Sequence, residues 1–447
     1  MFPTSRRTFI RQAACAALGT SGLLNSIWDL RKVSAATISG FGDYKALVCV
    51  FLYGGNDGNN MLVPYDAASY ASYAASRKDL AIPYPSLLPL TLQNSDGRSF
   101  AFHPSLLELQ ALFNQGKLTI VTNVGTLVGP ITKAQLRAGG AAVPPSLFSH
   151  ADQAVQWQTS VSGQQSPTGW GGRTADLLNS LNNSSKISLT ISFAGTNMFE
   201  VGNSVFPYRL STNGTVGLAK PPFKNALQEL LRQPYHNLFQ QAYADTLLRS
   251  ISSNDYLGAA LASAPALQTS FPKTDLAQQL QMAAKLIGAR QYLSMQRQIF
   301  FCAVQGYDTH GAQLPAQANL LTELSEALNA FYSATVEMGV DTQVTTFTAS
   351  DFGRTFRRDG TGSDHAWGNH QLVLGGAVRG GALYGTFPTL EIGGPDDAEG
   401  AGRWIPTTSV DEFSATMASW FGVANSDLAT VFPNIGRFAN PTLGFLN

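Results

Sequence analysis

Little of this sequence is charged. Asp, Glu, Lys and Arg make up 13% of 447 residues, against 44% hydrophobic. A chain of that composition can bury a large core and is not of the disordered class. No basic run tracks a phosphate backbone, which argues against nucleic acid as a partner. No apolar stretch reaches the ~20 residues of a membrane-spanning helix. Cysteine is scarce too, with only Cys15, Cys49 and Cys302, so no disulfide scaffold is expected. Cys49 and Cys302 sit inside apolar runs, Leu47–Leu52 and Ile299–Val304, and read as buried free thiols rather than a bridge.

What is present begins at the N-terminus. Ser5-Arg6-Arg7-Thr8-Phe9-Ile10 precedes a mild apolar stretch, Ala13 to Ile27, and then the small residues Val33, Ser34, Ala35 and Ala36. That order of charge, apolar run and small-residue site is a twin-arginine export signal, assigned to residues 1–36. Cys15 lies too early, and without a leucine-like residue before it, for a lipoprotein site. Removing residues 1–35 takes five cations and one anion from 29 of each, leaving 24 positive and 28 negative charges. A mildly acidic periplasmic or secreted protein is expected, with the twin-arginine translocation machinery as its partner during export. The sequence does not specify an oligomeric state.

Short β-branched apolar runs alternate with helical patterns. Strands are predicted at Ala46–Tyr53, Leu118–Asn123, Ile187–Phe193, Ile299–Gln305, Gln343–Ala349 and Gln371–Leu374. Helices are predicted at Ser105–Asn114, Ala151–Ser160, Thr174–Leu181, Ala318–Met338 and Val410–Phe421. Strands without polar alternation, separated by helices, imply an α/β fold with a doubly wound, mostly parallel sheet sandwiched by helices. Residues 37–447 are taken as one such domain, with a strand-poor helical insertion at about 217–296.

Open parallel sheets bind ligands beyond the C-terminal ends of their strands, so the loops there carry the search. After the first strand comes Gly54-Gly55-Asn56-Asp57-Gly58, either a bare turn or a carboxylate placed at the strand end. Asp308 and His310 follow the fourth strand at metal-ligand spacing, and Ser350-Asp351-Phe352-Gly353-Arg354 follows the fifth. Asp364-His365-Ala366-Trp367-Gly368-Asn369-His370 comes next. His150, His310, His365 and His370, four of the six histidines, all fall in such loops, which suits a divalent metal. Ser149 stands near a helix N-cap, where it caps the helix or acts as a nucleophile favoured by the helix dipole. Arg354 has the fork to hold an anion bidentately or to pair with a neighbouring carboxylate. Exposed-looking Trp157, Trp170 and Trp367 raise a weaker carbohydrate-processing reading against ordinary core packing.

These motifs in this order resemble the family called domain of unknown function 1501, from about Leu47 to Arg437. Ser350–Gly376 carries the most specific part of the resemblance. The family in turn resembles, more distantly, the alkaline phosphatase and sulfatase superfamily. That likeness implies an alkaline phosphatase-like fold, a bimetal site at the strand ends and a nucleophile opening a helix. Carried over by position, it makes Asp57, Asp351 and His365 or His370 ligands of one metal, with Asp308 and His310 at the second. Ser149 takes the nucleophile's place, and His150 is a candidate for proton handling. Phe352 departs from the superfamily pattern, which has His there, so one ion held by Asp308, His310 and a later His is the simpler expectation. The implied function is hydrolysis of phosphate or sulfate esters of small molecules or polymers, using a divalent ion (Zn, Mg, Mn or Ca). An exported binding or assembly protein with an incomplete site is the competing expectation.

Overall fold

Strand β1 (Lys45–Leu52) explains the architecture, because it is buried on both faces. Ala46, Val48, Val50 and Leu52 enter one core, and Leu47, Cys49 and Phe51 enter the other. A strand alternating between two cores needs apolar side chains throughout. The computed structural model describes residues 43–95, 97–182, 185–215 and 221–447. The export signal expected in residues 1–36 lies outside the described residues.

The described residues form twelve strands in order: β1, β2 (Leu62–Pro64), β3 (Leu88–Pro89), β4 (Phe100–Phe102), β5 (Leu118–Gly125), β6 (Thr190–Ser192), β7 (Tyr208–Arg209), β8 (Arg297–Val304), β9 (Val344–Ser350), β10 (Asn369–Leu374), β11 (Leu383–Tyr384) and β12 (Thr408–Ser409). Nine form one sheet of order β11-β5-β10-β9-β1-β8-β6-β7, with β12 also on β5, while β2, β4 and β3 form a small antiparallel sheet. The large sheet is parallel except for β10, antiparallel to both neighbours. Helices Leu107–Asn114, Asp275–Gly288 and Gln313–Glu337 cover one face. Helices His150–Thr159, Trp170–Leu178 and Val410–Phe421 cover the other. This is a doubly wound α/β sandwich.

Each expected strand and helix has its counterpart, Val410–Phe421 with the expected bounds and the others with one or both ends shifted. The stretch around 217–296 holds helices Pro221–Leu231, Leu238–Ser263 and Asp275–Gly288, the last of which packs on β8 and on Gln313–Glu337. Cys49 and Cys302 are buried free thiols. They lie on neighbouring strands, with Cys49 opposite Phe301 and Val50 opposite Cys302. Their side chains therefore enter opposite cores, which rules out a bridge between them. Trp157, Trp170 and Trp367, exposed-looking in the sequence, are all buried, because each packs in an apolar cluster. Among the described residues, no helix is long and apolar enough to cross a membrane.

Register decides where chemistry collects. Leu52 pairs with Val304 on one side and Ser350 on the other, so β1, β8 and β9 end level. Because β10 is antiparallel, it starts at the edge where β9 ends, and the whole 351–368 connection stays there. That edge receives the loops carrying Asp57, Asp308, Asp351 and His365.

Candidate metal centre

Asp308 Oδ1 is the meeting point. His310 Nε2 lies 3.0 Å from it, His365 Nε2 3.3 Å and His150 Nε2 3.4 Å. His310 Nε2 and His365 Nε2 are themselves 3.0 Å apart. The four side chains come from the loop after β8, the connection between β9 and β10, and the first turn of helix His150–Thr159. The cluster is open to solvent, since the Asp308 and His310 side chains are 48% and 45% exposed.

Two imidazoles are held from behind. His150 Nδ1 lies 2.6 Å from Asp351 Oδ2, and His365 Nδ1 lies 2.7 Å from the Phe148 carbonyl oxygen. Both partners accept, so each Nδ1 donates and each ring presents its Nε2 to Asp308. Phe352 packs against both rings at 4.7 Å, fixing their planes. His150 Nε2 is buried without a hydrogen-bond partner, as is Asp351 Oδ1. The hydrogen bond to Asp351 raises the His150 pKa against the opposing effect of burial. Burial lowers that of His365. Burial would raise the Asp308 carboxyl, but Arg354 and the flanking imidazoles outweigh it and hold it below the ordinary value.

The loops reach this geometry through close backbone approach. Gly54 has φ 114°, and a Cβ there would lie 2.3 Å from the Asp308 backbone nitrogen. Only glycine lets the loop after β1 touch the loop after β8 so closely. Arg354, fully buried, ties the same loops together. It donates to the carbonyls of Gly55 (3.0 Å), Ser363 (2.9 Å), Gly54 (2.6 Å) and Tyr307 (3.2 Å) and to Asp308 Oδ1. Its fork is thus occupied by the protein itself. His150 is placed by Gln153 and Gln156, whose amides donate to the Pro145 carbonyl at 3.2 and 3.0 Å. Ser149 occupies the N-cap position, and its hydroxyl makes no capping bond.

Of the expected metal ligands, Asp308, His310 and His365 come together, and His150 joins them. Asp351 stands behind His150, accepting also from the Gly54 N–H at 3.0 Å. Asp57 lies elsewhere in the network: it caps the short helix Gly58–Met61 and is bound by the buried Arg77 and by Gln313 Nε2. His370 is on β10, where its Nδ1 accepts from the Asn123 N–H at 3.1 Å and its ring stacks on Phe387. Burial lowers its pKa to about 3. Asp364 was not among the expected ligands, yet with His310 and His365 it forms a second grouping within ligand distance. It is also tied to Arg403 at 2.7 Å. The Asp364-His365 pair was visible in the sequence, whereas nothing there marks the Phe148 carbonyl, which is backbone.

The donor set fits a metal ion. His150, Asp308 and His365 offer ligand atoms within 4.8 Å of one another, as do His310, Asp364 and His365, so His365 is shared by two adjoining groups, and the buried His150 Nε2 has no hydrogen-bond partner. Nitrogen-rich sites suit zinc and other late first-row ions better than magnesium or calcium, which prefer oxygen.

The class is therefore a doubly wound α/β protein with a histidine-rich cluster at the strand ends. The chain belongs to the family described as "Protein of unknown function (DUF1501)", whose sequence model matches residues 44–432. No curated protein matches it. Among solved structures it is similar to a sulfatase from Pseudoalteromonas sp., at 10% identity over 89% of this chain and 76% of that one, TM-score 0.34. It is also similar to a phosphonate monoester hydrolase from Silicibacter pomeroyi (8% identity, 85% and 73% of the chains, TM-score 0.33). A mutant alkaline phosphatase is a third (12%, 71% and 64%, TM-score 0.27). Likenesses this loose carry no argument about chemistry, and the fold rests on the sheet and its layers.

Proposed function

We propose that this protein is an exported, metal-dependent hydrolase of phosphate or sulfate esters. The convergence of His150, His310 and His365 on Asp308 carries the reading. These four residues would hold the ion, and Asp351 and the Phe148 carbonyl would orient two of the rings. A divalent ion so placed supplies Lewis-acid polarisation of an ester oxygen. Ser149, uncommitted to capping, is the proposed nucleophile. Phe352 shields the base of the cluster from water. Export rests on the twin-arginine pattern at Ser5–Ile10, and the substrate is a small-molecule or polymer ester.

Metal analysis of protein recovered from the periplasm, followed by a panel of phosphate and sulfate esters, tests this. Expected are about one equivalent of a zinc-class ion and hydrolysis that is lost in His365→Ala. Ser149→Ala separates attack by the hydroxyl, which it would abolish, from direct attack by water, which it would spare. Protein without metal and without activity refutes the hydrolase. The competing reading, a binding or assembly protein on the same fold, draws support from Asp57 and His370. Both are engaged elsewhere, which leaves fewer donors than a two-metal site needs.

A further inference from the structure

Away from the cluster, helices Pro221–Leu231 and Leu238–Ser263 form a hairpin that leaves its apolar residues in solvent. Leu238 and Phe239 are 84% and 87% exposed, and Phe223, Leu230 and Tyr243 are also exposed. The longer helix is anchored near its C-terminal end, where Leu257 and Ala260 enter the core and Ser253 Oγ donates to the Lys186 carbonyl. From Leu257 back to Leu238 it runs for about 28 Å, and only Ala244 is buried along the way. The Lys224–Asp255 ion pair joins the two helices, and Tyr235 in the turn between them donates from its hydroxyl to the Leu230 carbonyl and from its N–H to Gln241 Oε1, tying the turn to both helices of this arm. Soluble proteins rarely leave large aromatic and aliphatic side chains clustered in water without use.

We propose that this arm docks on a second copy of the chain, forming a two-fold dimer. Area supports it. The five side chains offer on the order of 700 Å² to a partner, near the ~800 Å² that each side of a stable interface buries. Charge supports it as well. Lys224, Arg232 and Arg249 are balanced by Glu229, Asp245 and Asp255 within residues 221–263, three against three. Lys224 and Asp255 neutralise each other, and a hairpin that is neutral overall can approach its own copy under two-fold symmetry without net like-charge repulsion. An anionic lipid surface would call for a basic excess.

Sedimentation equilibrium of the exported full-length protein, from nanomolar to tens of micromolar, tests the proposal. A monomer–dimer equilibrium with a micromolar or tighter Kd is expected. Leu238→Glu with Phe239→Glu should weaken it at least 100-fold with an unchanged melting temperature at concentrations where both proteins are monomeric, because both positions are exposed. Ser252→Glu, an exposed change on the same helix away from the tip, should leave it unaltered. A wild-type monomer throughout the range overturns the proposal, as does a dimer that survives the double substitution. Binding to anionic vesicles that the double substitution abolishes would also overturn it, assigning the arm to a membrane surface. None of these outcomes depends on hydrolase activity.

Discussion

Asp351→Asn isolates the role of the residue behind the cluster. The amide keeps the size of the carboxylate and one acceptor oxygen but removes its charge. In the native site Oδ2 serves both the Gly54 N–H at 3.0 Å and His150 Nδ1 at 2.6 Å. One amide oxygen can still meet these donors, and the NH2 takes the place of Oδ1, which accepts no bond in the native site, so the change that matters is that the carboxylate no longer raises the basicity of the ring. Residues that orient metal-binding histidines in this way are worth about 10- to 100-fold in metal affinity, or about 1.4–2.8 kcal/mol. The assay is a zinc titration in competition with a chelating dye, with His365→Ala as the direct removal of a ligand and expected to lose more. Circular dichroism of the apo-proteins separates affinity from folding. If folded Asp351→Asn binds zinc as tightly as the wild type, His150 is not a ligand positioned by Asp351, and the four-donor reading fails.

Other consequences are independent of the ion or bear on it differently. Arg77→Met leaves Asp57 buried without its cation. Breaking such a pair costs about 3–5 kcal/mol, read as a lower urea midpoint, and a loss below 1 kcal/mol would contradict the buried pairing. Glu200 is fully buried, and burial pushes its carboxyl up to about 8 from 4.5. The folded state therefore keeps a proton that the unfolded chain gives up. Its stability contribution is full below pH 4.5 and is lost as the pH rises to 8, at up to about 1.4 kcal/mol per unit. Glu200→Gln should remove that part of the slope in urea melts between pH 4.5 and 8.5, and parallel curves for the two proteins would refute it. Gly54→Ala should cost metal affinity more than fold, because the added Cβ strikes the backbone of the loop that carries Asp308. Equal zinc affinity in the two proteins would show that the close approach is not needed.

The sequence by itself determined the sandwich and the edge to which its chemistry belongs. Strands such as Leu47–Leu52 and Ile299–Val304 are buried on both faces, and burial on both faces writes itself as unbroken apolar runs. In a parallel sheet those runs end level, so the loops after them share one edge whatever their detailed path. Which residues of those loops meet was decided by tertiary structure. His365 and His370 share one motif, yet His365 precedes β10 and reaches the cluster, while His370 is inside β10 and is walled in by Phe387 and the Asn123 backbone. Asp57 and Asp308 both follow strands, but a buried arginine at the end of helix Ala67–Arg77, 20 residues on, folds back onto Asp57. His150 comes from the opposite helical layer, and its partner Asp351 lies 201 residues away in sequence. Such pairings depend on contacts across the whole chain, on glycines that let two loops touch and on an arginine that ties their carbonyls together. A sequence pattern records the residue types that can bind a metal, but distances across loops exist only once the backbone has closed.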